Sequence, residues 1–311
     1  MTKYNSLDDY LKSHPLDIDI LVPDSRGMPF QVKGRKITAV VLFADMTAFS
    51  SRSSKLCPFE TLIFVNNFFA ELSAQLEGQH GIVDKYIGDE MMVVFSKDFG
   101  SIDPLADAVN VARWMVESDS LDFNPHIGIA RGDVVVGYVG SPLKYDCSVF
   151  GAAVTRAARC CQARCCQIRD DNDEALGSII LPASDCGDIN LDQILTKQKE
   201  IPPDGIESEI AWKIISHKTK LKGEQEEREI IAVAIDHGDT PVGGPFCMTR
   251  VISFHIDGSK IDGSKALTGW LTTAEGRAKR AFDAVKKSGD FNPKRCPCEP
   301  TPESFTNQSY P

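Results

Sequence analysis

The spacing of apolar positions changes along the chain and marks the first elements of its structure. Residues Ile37 to Phe43 form a run that is apolar apart from Thr38, which predicts a central, buried strand. Pro58 begins a segment whose apolar residues recur at helical spacing, so a helix with one apolar stripe is predicted there. The stripe consists of Leu62, Val65, Phe69, Leu72 and Leu76. Gly78 and Gly81 follow the stripe and predict its end.

Hairpins and helices alternate after this first helix. The pattern predicts a hairpin over 83–95, a helix over 104–117, a second hairpin over 126–139 with its turn at 131–133, a loop at 140–147 and a helix over 151–167. Strands that arrive as hairpins between helices imply a mixed or antiparallel sheet covered on one face. The predicted fold class is therefore α+β.

The two ends of the chain differ in pattern from its middle. Residues 1–36 read as a polar lead-in with a short helix capped by Ser6 and Asp9. An acidic loop is predicted at 168–176, and strand-like and helical signals resume over 178–233. The main folded domain is accordingly expected at 37–235.

A C-terminal extension is expected at 236–311. It contains a strand candidate over 250–256 and a basic helix over 273–287, and its last 25 residues include five prolines, which predict irregular structure.

Composition and charge exclude several classes of protein. The chain has 311 residues and a formal net charge of −10, which disfavours general binding to nucleic acid or anionic lipid. Its apolar runs are too short to cross a bilayer, and the first thirty residues lack a signal-peptide pattern, so a cytoplasmic location is expected. The ten cysteines include no Cys-x-x-Cys pair, so reduced, structural thiols are expected in place of a metal site.

Two aspartates are candidate metal ligands. Asp45 comes directly after the buried strand, and Asp89 lies in the turn of the first hairpin. Two carboxylates at one sheet edge are a common protein contribution to a Mg²⁺ site, since magnesium prefers oxygen ligands. The small or hydroxylic residues after Asp45 would let backbone amides bind a triphosphate. The same two aspartates could instead cap a helix and fill a turn, and their spacing alone leaves both interpretations open.

The helix predicted over 151–167 adds a candidate anion-binding face. Thr155 and Arg159 are four residues apart, so they share one face of that helix, whereas Arg156 points elsewhere and is expected to be a solvated surface charge. An arginine in this position suits an anion that gains charge during a reaction.

Four stretches in order resemble the motifs of the class III nucleotidyl cyclases. They are FADMTAFS, DKYIGDEM, HIGIARGDVVVGYVG and VFGAAVTRAAR, and the resemblance covers about residues 36 to 235. It implies a ferredoxin-like, palm-type mixed sheet of the α+β class. It also implies two divalent metal ions, Mg²⁺ or Mn²⁺, and a head-to-tail homodimer in which both protomers build each active site.

The resemblance also implies a role for each matching residue. Asp45, Asp89 and the carbonyl of Met46 match the metal ligands, and Arg159 matches the arginine that stabilises the transferring phosphoryl group. Base-recognition positions fall at Lys85 and Ser148. Residues implied in phosphate binding are Thr47, Ala48, Phe49, Ser50 and Lys222. Two positions depart from the family pattern: Thr155 stands in place of an asparagine that positions the ribose, and Ser148 stands in place of an aspartate or threonine.

The base remains open between three nucleotides. Lysine only donates hydrogen bonds, so Lys85 favours a ring nitrogen or a carbonyl acceptor, and guanine fits least. The overall organisation is similar to the stand-alone pyrimidine cyclases of bacterial Pycsar anti-phage systems. That similarity favours UTP, then CTP, and implies a separate effector that senses the product. A soluble bacterial adenylate cyclase is the alternative, and a catalytically silent nucleotide-binding regulator is a remote one.

Overall fold

The structure is a computed structural model, and it places most of the chain. It describes residues 3–119, 123–141, 144–163, 177–187, 189–196, 211–236, 255–256, 259–260 and 274–288. The predicted acidic loop at 168–176 and the proline-containing tail lie outside these residues. So do Cys165 and Cys166, and most of the strand candidate at 250–256.

Strands and helices alternate as the sequence pattern predicts. The main strands are β1 (Ile18–Pro23), β2 (Pro29–Asp45), β3 (Gly81–Ile87), β4 (Glu90–Ser96), β5 (His126–Ser141), β6 (Lys144–Phe150), β7 (Ser178–Pro182), β8 (Ala211–Thr219) and β9 (Arg228–Asp236). The helices are α1 (Leu7–Lys12), α2 (Phe49–Ser53), α3 (Pro58–Ala74), α4 (Pro104–Glu117), α5 (Ala152–Cys161), α6 (Ala183–Cys186), α7 (Leu191–Thr196) and α8 (Ala274–Ser288).

One mixed sheet organises the described residues. Its strand order is β3-β4-β2-β5-β7-β9-β8, with β1 paired to β2 and β6 paired to β5. The pairing of β5 with β7 is parallel, and the other pairings along this path are antiparallel. This sheet with its helices is a mixed α+β fold, which confirms the predicted fold class.

The sheet is covered on both faces, so the expectation of a single covered face was wrong. Val40 and Leu42 of β2 pack in the cluster that includes α3 and α4. Val41 and Phe43, which point the opposite way, pack in the cluster that includes α1 and α5. Alternate residues of a strand face opposite sides of a sheet, and this explains why β2 is apolar at every position from Ala39 to Phe43.

The turn predicted for the second hairpin was wrong. No turn occurs at 131–133, because β5 runs unbroken from His126 to Ser141 and pairs with β2 over most of its length. The residues expected to form a loop at 140–147 instead lead into β6, which pairs back on β5. The long antiparallel pairing of β5 with β2 therefore outweighs the local turn signal of the Arg-Gly-Asp sequence.

Helix α3 and the N-terminal region differ in detail from the sequence prediction. The buried side of α3 carries Phe64, Phe68 and Leu72, whereas Leu62 is 59% exposed, so the predicted stripe was partly displaced. The N-terminal region is more structured than a polar lead-in: α1 is capped by Ser6 as predicted, but β1 was missed, and β2 begins at Pro29.

Candidate functional site

Asp45 and Asp89 meet where β2 ends beside the turn of the first hairpin. Asp45 is the last residue of β2 and pairs with Glu90, the first residue of β4. Gly88 has a φ of 66°, a left-handed conformation that glycine adopts without strain. It forms, with Asp89, the turn between β3 and β4. The sheet register thus brings together two carboxylates that are 44 positions apart in the sequence.

The electrostatics of this pair favour a cation. The pKa of Asp45 is raised to about 7, first by burial and then by the neighbouring carboxylates of Asp89 and Glu90, while the Met46 amide opposes this shift. That amide donates to Oδ1 of Asp45 at 3.0 Å. The pKa of Glu90 is also raised, first by burial and then by Asp89. Carboxylates crowded in a partly buried site are stabilised when a dication neutralises them.

The donor set fits a magnesium or manganese ion. Oε1 of Glu90 is buried and has no hydrogen-bond partner among the described residues. Carboxylate and carbonyl oxygens are hard ligands that suit these ions, and a site with few protein ligands leaves positions for phosphate oxygens. Within the described ranges no three His, Cys, Asp or Glu side chains form a closed metal cluster.

The segment after Asp45 forms a short turn and helix, but not all of it faces outward. The Thr47 amide donates to the Phe123 carbonyl at 3.2 Å, and the Thr47 hydroxyl donates to the Asn124 carbonyl. Thr47 therefore supports the loop from within. Ala48 has a φ of 56° and starts α2, whose first amides, at Phe49 and Ser50, have no acceptor within the helix. The implied phosphate contacts at Ala48, Phe49 and Ser50 stay predictions.

Helix α5 places Thr155 and Arg159 on its accessible side. Thr155 is exposed and Arg159 is partly buried. The Arg159 guanidinium donates to Oε1 of Gln162 at 2.9 Å, and its Nε is buried without a partner among the described residues. The helix lies close against β5 because Gly128 has no side chain, and a Cβ there would overlap the backbone of Ala157 and Cys161.

Arg156 is a structural residue, so the expectation of a solvated surface charge was wrong. Its guanidinium donates to the Arg131 carbonyl at 2.7 Å and lies 3.8 Å from the Asp185 carboxylate. Its side chain is 23% exposed. Arg156 thus connects α5 to β5 and α6.

The two implied base-recognition residues meet at a third residue that the sequence analysis missed. Ser148 Oγ donates to Oδ2 of Asp84 at 2.6 Å, and Lys85 Nζ lies 3.7 Å from the same oxygen. Lys85 also lies 3.9 Å from Oδ2 of Asp146. Burial raises the pKa of Asp84, whereas the Ser148 hydrogen bond and the Lys85 ammonium lower it. The available signal was the position of Asp84 next to Lys85 in DKYIGDEM.

Lys222 lies apart from this corner of the molecule. It is exposed in the turn between β8 and β9. The strand order puts β8 and β3 at opposite ends of the sheet. Its implied contact with terminal phosphates remains a prediction.

The described cysteines are Cys57, Cys147, Cys160, Cys161 and Cys186, and all five are free thiols. Cys160 and Cys161 are buried residues at the end of α5, and burial raises the pKa of each thiol. These two pack as small apolar side chains. Among the described helices, none has the length and apolar composition needed to span a membrane.

Several known proteins are similar to part of this chain. The family model described as adenylate and guanylate cyclase catalytic domain matches residues 32–166. An adenylate cyclase of Anabaena cylindrica is 30% identical over 131 residues, which are 38% of this chain and 26% of that protein. The uncharacterized protein Rv1319c of Mycobacterium tuberculosis is 26% identical over 42% of this chain and 25% of its own length. The chain thus spans about a quarter of the curated relatives it matches.

Solved structures of cyclases also overlap with the chain. The guanylyl cyclase Cya2 has 20% identity and a TM-score of 0.47, and the match covers 67% of this chain and 98% of that one. The adenylyl cyclase CyaB from P. aeruginosa has 18% identity and a TM-score of 0.46, over 68% of this chain and 99% of that one. The family match, the four motifs in order and the paired aspartates at the sheet edge together identify residues 32–166 as a class III adenylate and guanylate cyclase catalytic domain.

Proposed function

We propose that the protein is a nucleotidyl cyclase that converts a ribonucleoside triphosphate to its 3′,5′-cyclic monophosphate and pyrophosphate. The observation that carries this proposal is the meeting of Asp45 and Asp89, with burial and mutual repulsion raising the pKa of Asp45 to about 7. Such a pair of carboxylates is suited to hold the cations that a triphosphate brings with it. The family of residues 32–166 supports the same reaction.

Different residues of the chain bind the ions, stabilise charge and orient the ribose in this reaction. Asp45, Asp89 and the Met46 carbonyl would hold two divalent ions, Mg²⁺ or Mn²⁺. When bound, these ions lower the pKa of the ribose 3′-hydroxyl and neutralise the pyrophosphate that leaves. Arg159 stabilises charge on the α-phosphoryl oxygens, a role worth about 2–4 kcal/mol for a positioned donor. Thr155 orients the ribose through its single hydroxyl.

A pyrimidine nucleotide is the proposed substrate, with UTP favoured over CTP. The ammonium of Lys85 suits a uracil carbonyl, and the overall organisation resembles stand-alone pyrimidine cyclases. On the same likeness, the product is proposed to be a second messenger in anti-phage defence, sensed by a separate cyclic-nucleotide-binding effector. ATP is the alternative substrate, favoured by the similarity to the adenylate cyclase of Anabaena cylindrica.

The proposed active unit is a head-to-tail homodimer with two shared sites. Asp89 lies beside Asp45, whereas Lys85, four residues earlier, is directed to Asp84 and Asp146. The hairpin thus presents its carboxylate and its ammonium to different surroundings. A second protomer that contributes Lys85, Thr155 and Arg159 to the metal site would complete each active site.

Product identification tests the proposal directly. The purified protein is incubated with Mn²⁺ or Mg²⁺ and each of the four nucleoside triphosphates, and products are identified by mass spectrometry. We expect cUMP as the main product. Strong cAMP formation without cUMP or cCMP would replace the pyrimidine assignment by the adenylate one. Nucleotide binding without any cyclic product would indicate the silent regulator.

A further inference from the structure

Asp84 occupies a β-bulge that redirects its side chain. The register between β3 and β4 shifts between Val83 and Lys85, so Asp84 is the extra residue on β3. A bulge breaks the alternation of side chains and often aims one of them at a neighbouring element. Here the Asp84 carboxylate reaches Ser148 of β6, a strand that pairs with β5 and not with β3.

The two oxygens of this carboxylate have different surroundings. Oδ2 accepts the Ser148 hydroxyl at 2.6 Å and faces Lys85 Nζ at 3.7 Å. Oδ1 is buried and has no hydrogen-bond partner within the described part of the chain. The Asp84 side chain as a whole is 1% exposed. A buried carboxylate oxygen without a donor is unfavourable, so this atom is suited to an N–H that arrives with a ligand.

Space for such a ligand lies next to the carboxylate. A cavity of about 360 Å³ is lined by Asp84 and Val83 of β3, by Tyr145, Asp146 and Cys147 of β6, and by Tyr138. Ser6, Leu7 and Asp8 also line it. The wall therefore carries three carboxylates: Asp84, held by the Ser148 hydroxyl, Asp8, which accepts from the Tyr138 hydroxyl, and Asp146. The Lys85 ammonium lies beside the Asp84 carboxylate.

We infer that Asp84 is a specificity-determining residue whose Oδ1 accepts an N–H from the base edge of the bound nucleotide. Ser148 is then a positioning residue that holds the carboxylate, and Lys85 donates to the acceptor next to that N–H on the base. This assignment rests on the proposed cyclase activity. It supplies, from β3, the carboxylate that position 148 lacks.

The inference assigns a polarity to the base edge. The site requires a donor beside an acceptor: uracil provides N3–H and a carbonyl, adenine its amine and N1, cytosine its amine and N3, and guanine N1–H and its carbonyl. Discrimination between bases then depends on where the fixed Asp84 carboxylate and the Lys85 ammonium place that donor and acceptor. An amide at position 84 would accept from Ser148 through its oxygen and turn its NH₂ towards the base. That NH₂ would then face the N–H of the substrate, a donor opposite a donor, and discrimination between bases would change.

Asp84→Asn is the informative variant because it keeps the size of the side chain. With the full chain and Mn²⁺, we expect KM for the preferred nucleotide to rise about 10-fold or more, with kcat changed less, and the ranking of the four nucleotides to change. Ser148→Ala should raise KM in the same direction by a smaller factor. Unchanged KM and ranking in Asp84→Asn would overturn the inference, and unchanged values in Ser148→Ala would overturn the positioning role.

Asp133→Asn is the matched control. Asp133 also accepts from a hydroxyl, that of Thr38 at 2.9 Å, and pairs with a lysine, Lys36 at 2.7 Å, but it lies on the exposed part of β5. Its KM and ranking should match those of the wild-type protein. Thermal unfolding of each variant identifies loss of fold, and Ser148→Ala then carries the test.

The outcome also separates this inference from the proposed function. If the wild-type protein forms no cyclic product, the cyclase proposal fails. Isothermal titration calorimetry with each of the four nucleotides and Ca²⁺ then tests Asp84 by binding alone. An Asp84→Asn protein that binds all four nucleotides as the wild-type protein does would refute the role of Asp84.

Discussion

Arg52 Nε lies 2.6 Å from Oε1 of Glu275, and this ion pair joins residues that are 223 positions apart. Both side chains are largely buried, with 14% and 16% exposed. Arg52 belongs to α2, which follows β2 and Asp45. Glu275 belongs to α8, which packs on α3 where Phe59 stacks on Phe282 at 5.3 Å. The C-terminal helix is thus attached to the helix next to the proposed active site.

We therefore expect Glu275→Gln to destabilise the protein. Removing one partner of a largely buried ion pair leaves the other charge less well compensated, which costs about 1–3 kcal/mol. Thermal unfolding of both proteins measures the difference. Lys33→Gln is the control, because Lys33 lies 3.9 Å from Asp19 in an exposed pair, and such pairs contribute little. An equal effect of the two substitutions would contradict the role of the Arg52–Glu275 pair.

The stability of the metal-free protein should depend on pH through Asp45. Without metal its pKa is raised from 3.8 to about 7, so folding favours the protonated carboxyl. This contribution is fully present below pH 3.8 and is lost as pH rises through about 7, an effect on the order of 2–4 kcal/mol at most. When a chelator keeps both proteins free of metal, the melting temperature of the wild-type protein should fall relative to that of Asp45→Asn as pH rises from about 5 to 8. Parallel curves for the two proteins would contradict the shift.

Added Mn²⁺ should reverse that loss. A metal ion competes with the proton for the carboxylate, so the stabilisation by Mn²⁺ should grow over the same pH interval. Asp45→Asn and Asp89→Ala should lose both this stabilisation and turnover. Turnover retained in either variant would refute the metal assignment. Differential scanning fluorimetry with and without Mn²⁺ measures the first property, and product formation measures the second.

Arg159 and Arg156 should separate catalysis from stability, although they lie on the same helix. Arg159→Ala should lower kcat about 10²–10³-fold because a positioned donor to the phosphoryl group is lost. Its melting temperature should change little. Arg156→Ala should lower the melting temperature, because the contacts with the Arg131 carbonyl and Asp185 are lost. Steady-state kinetics and thermal unfolding of both variants are needed, and a matching loss of kcat in Arg156→Ala would contradict this division.

Shared active sites predict complementation between inactive variants. Asp45→Ala lacks the metal ligand and Arg159→Ala lacks the phosphoryl donor, so a mixed head-to-tail dimer has one intact site. Mixing the two proteins should restore about one quarter of wild-type activity if subunits exchange at random. Size-exclusion chromatography of the mixture verifies the dimer. Activity that stays at the level of the separate variants, in a dimer that exchanges subunits, would rule out sites built from both protomers.

The sequence determined the main elements where local pattern and burial agree. The run from Ile37 to Phe43 is apolar at every position except Thr38, and it lies in β2, covered on both faces. Asp45 and Asp89 were identified from their places after a strand and in a turn, and the sheet register brings them together. Periodicity and turn chemistry depend on neighbours along the chain, so the sequence itself contains this information.

Only the tertiary structure decided which partners the remaining polar residues have. The turn signal at 131–133 is overridden because β2 offers β5 a long antiparallel partner. Arg156 is held by Arg131 and Asp185, and Asp84 reaches Ser148, 64 positions away, through a bulge. Such contacts depend on strand register and on the approach of distant elements. A sequence fixes these through the free energy of the whole fold, and the residues beside each position do not reveal them.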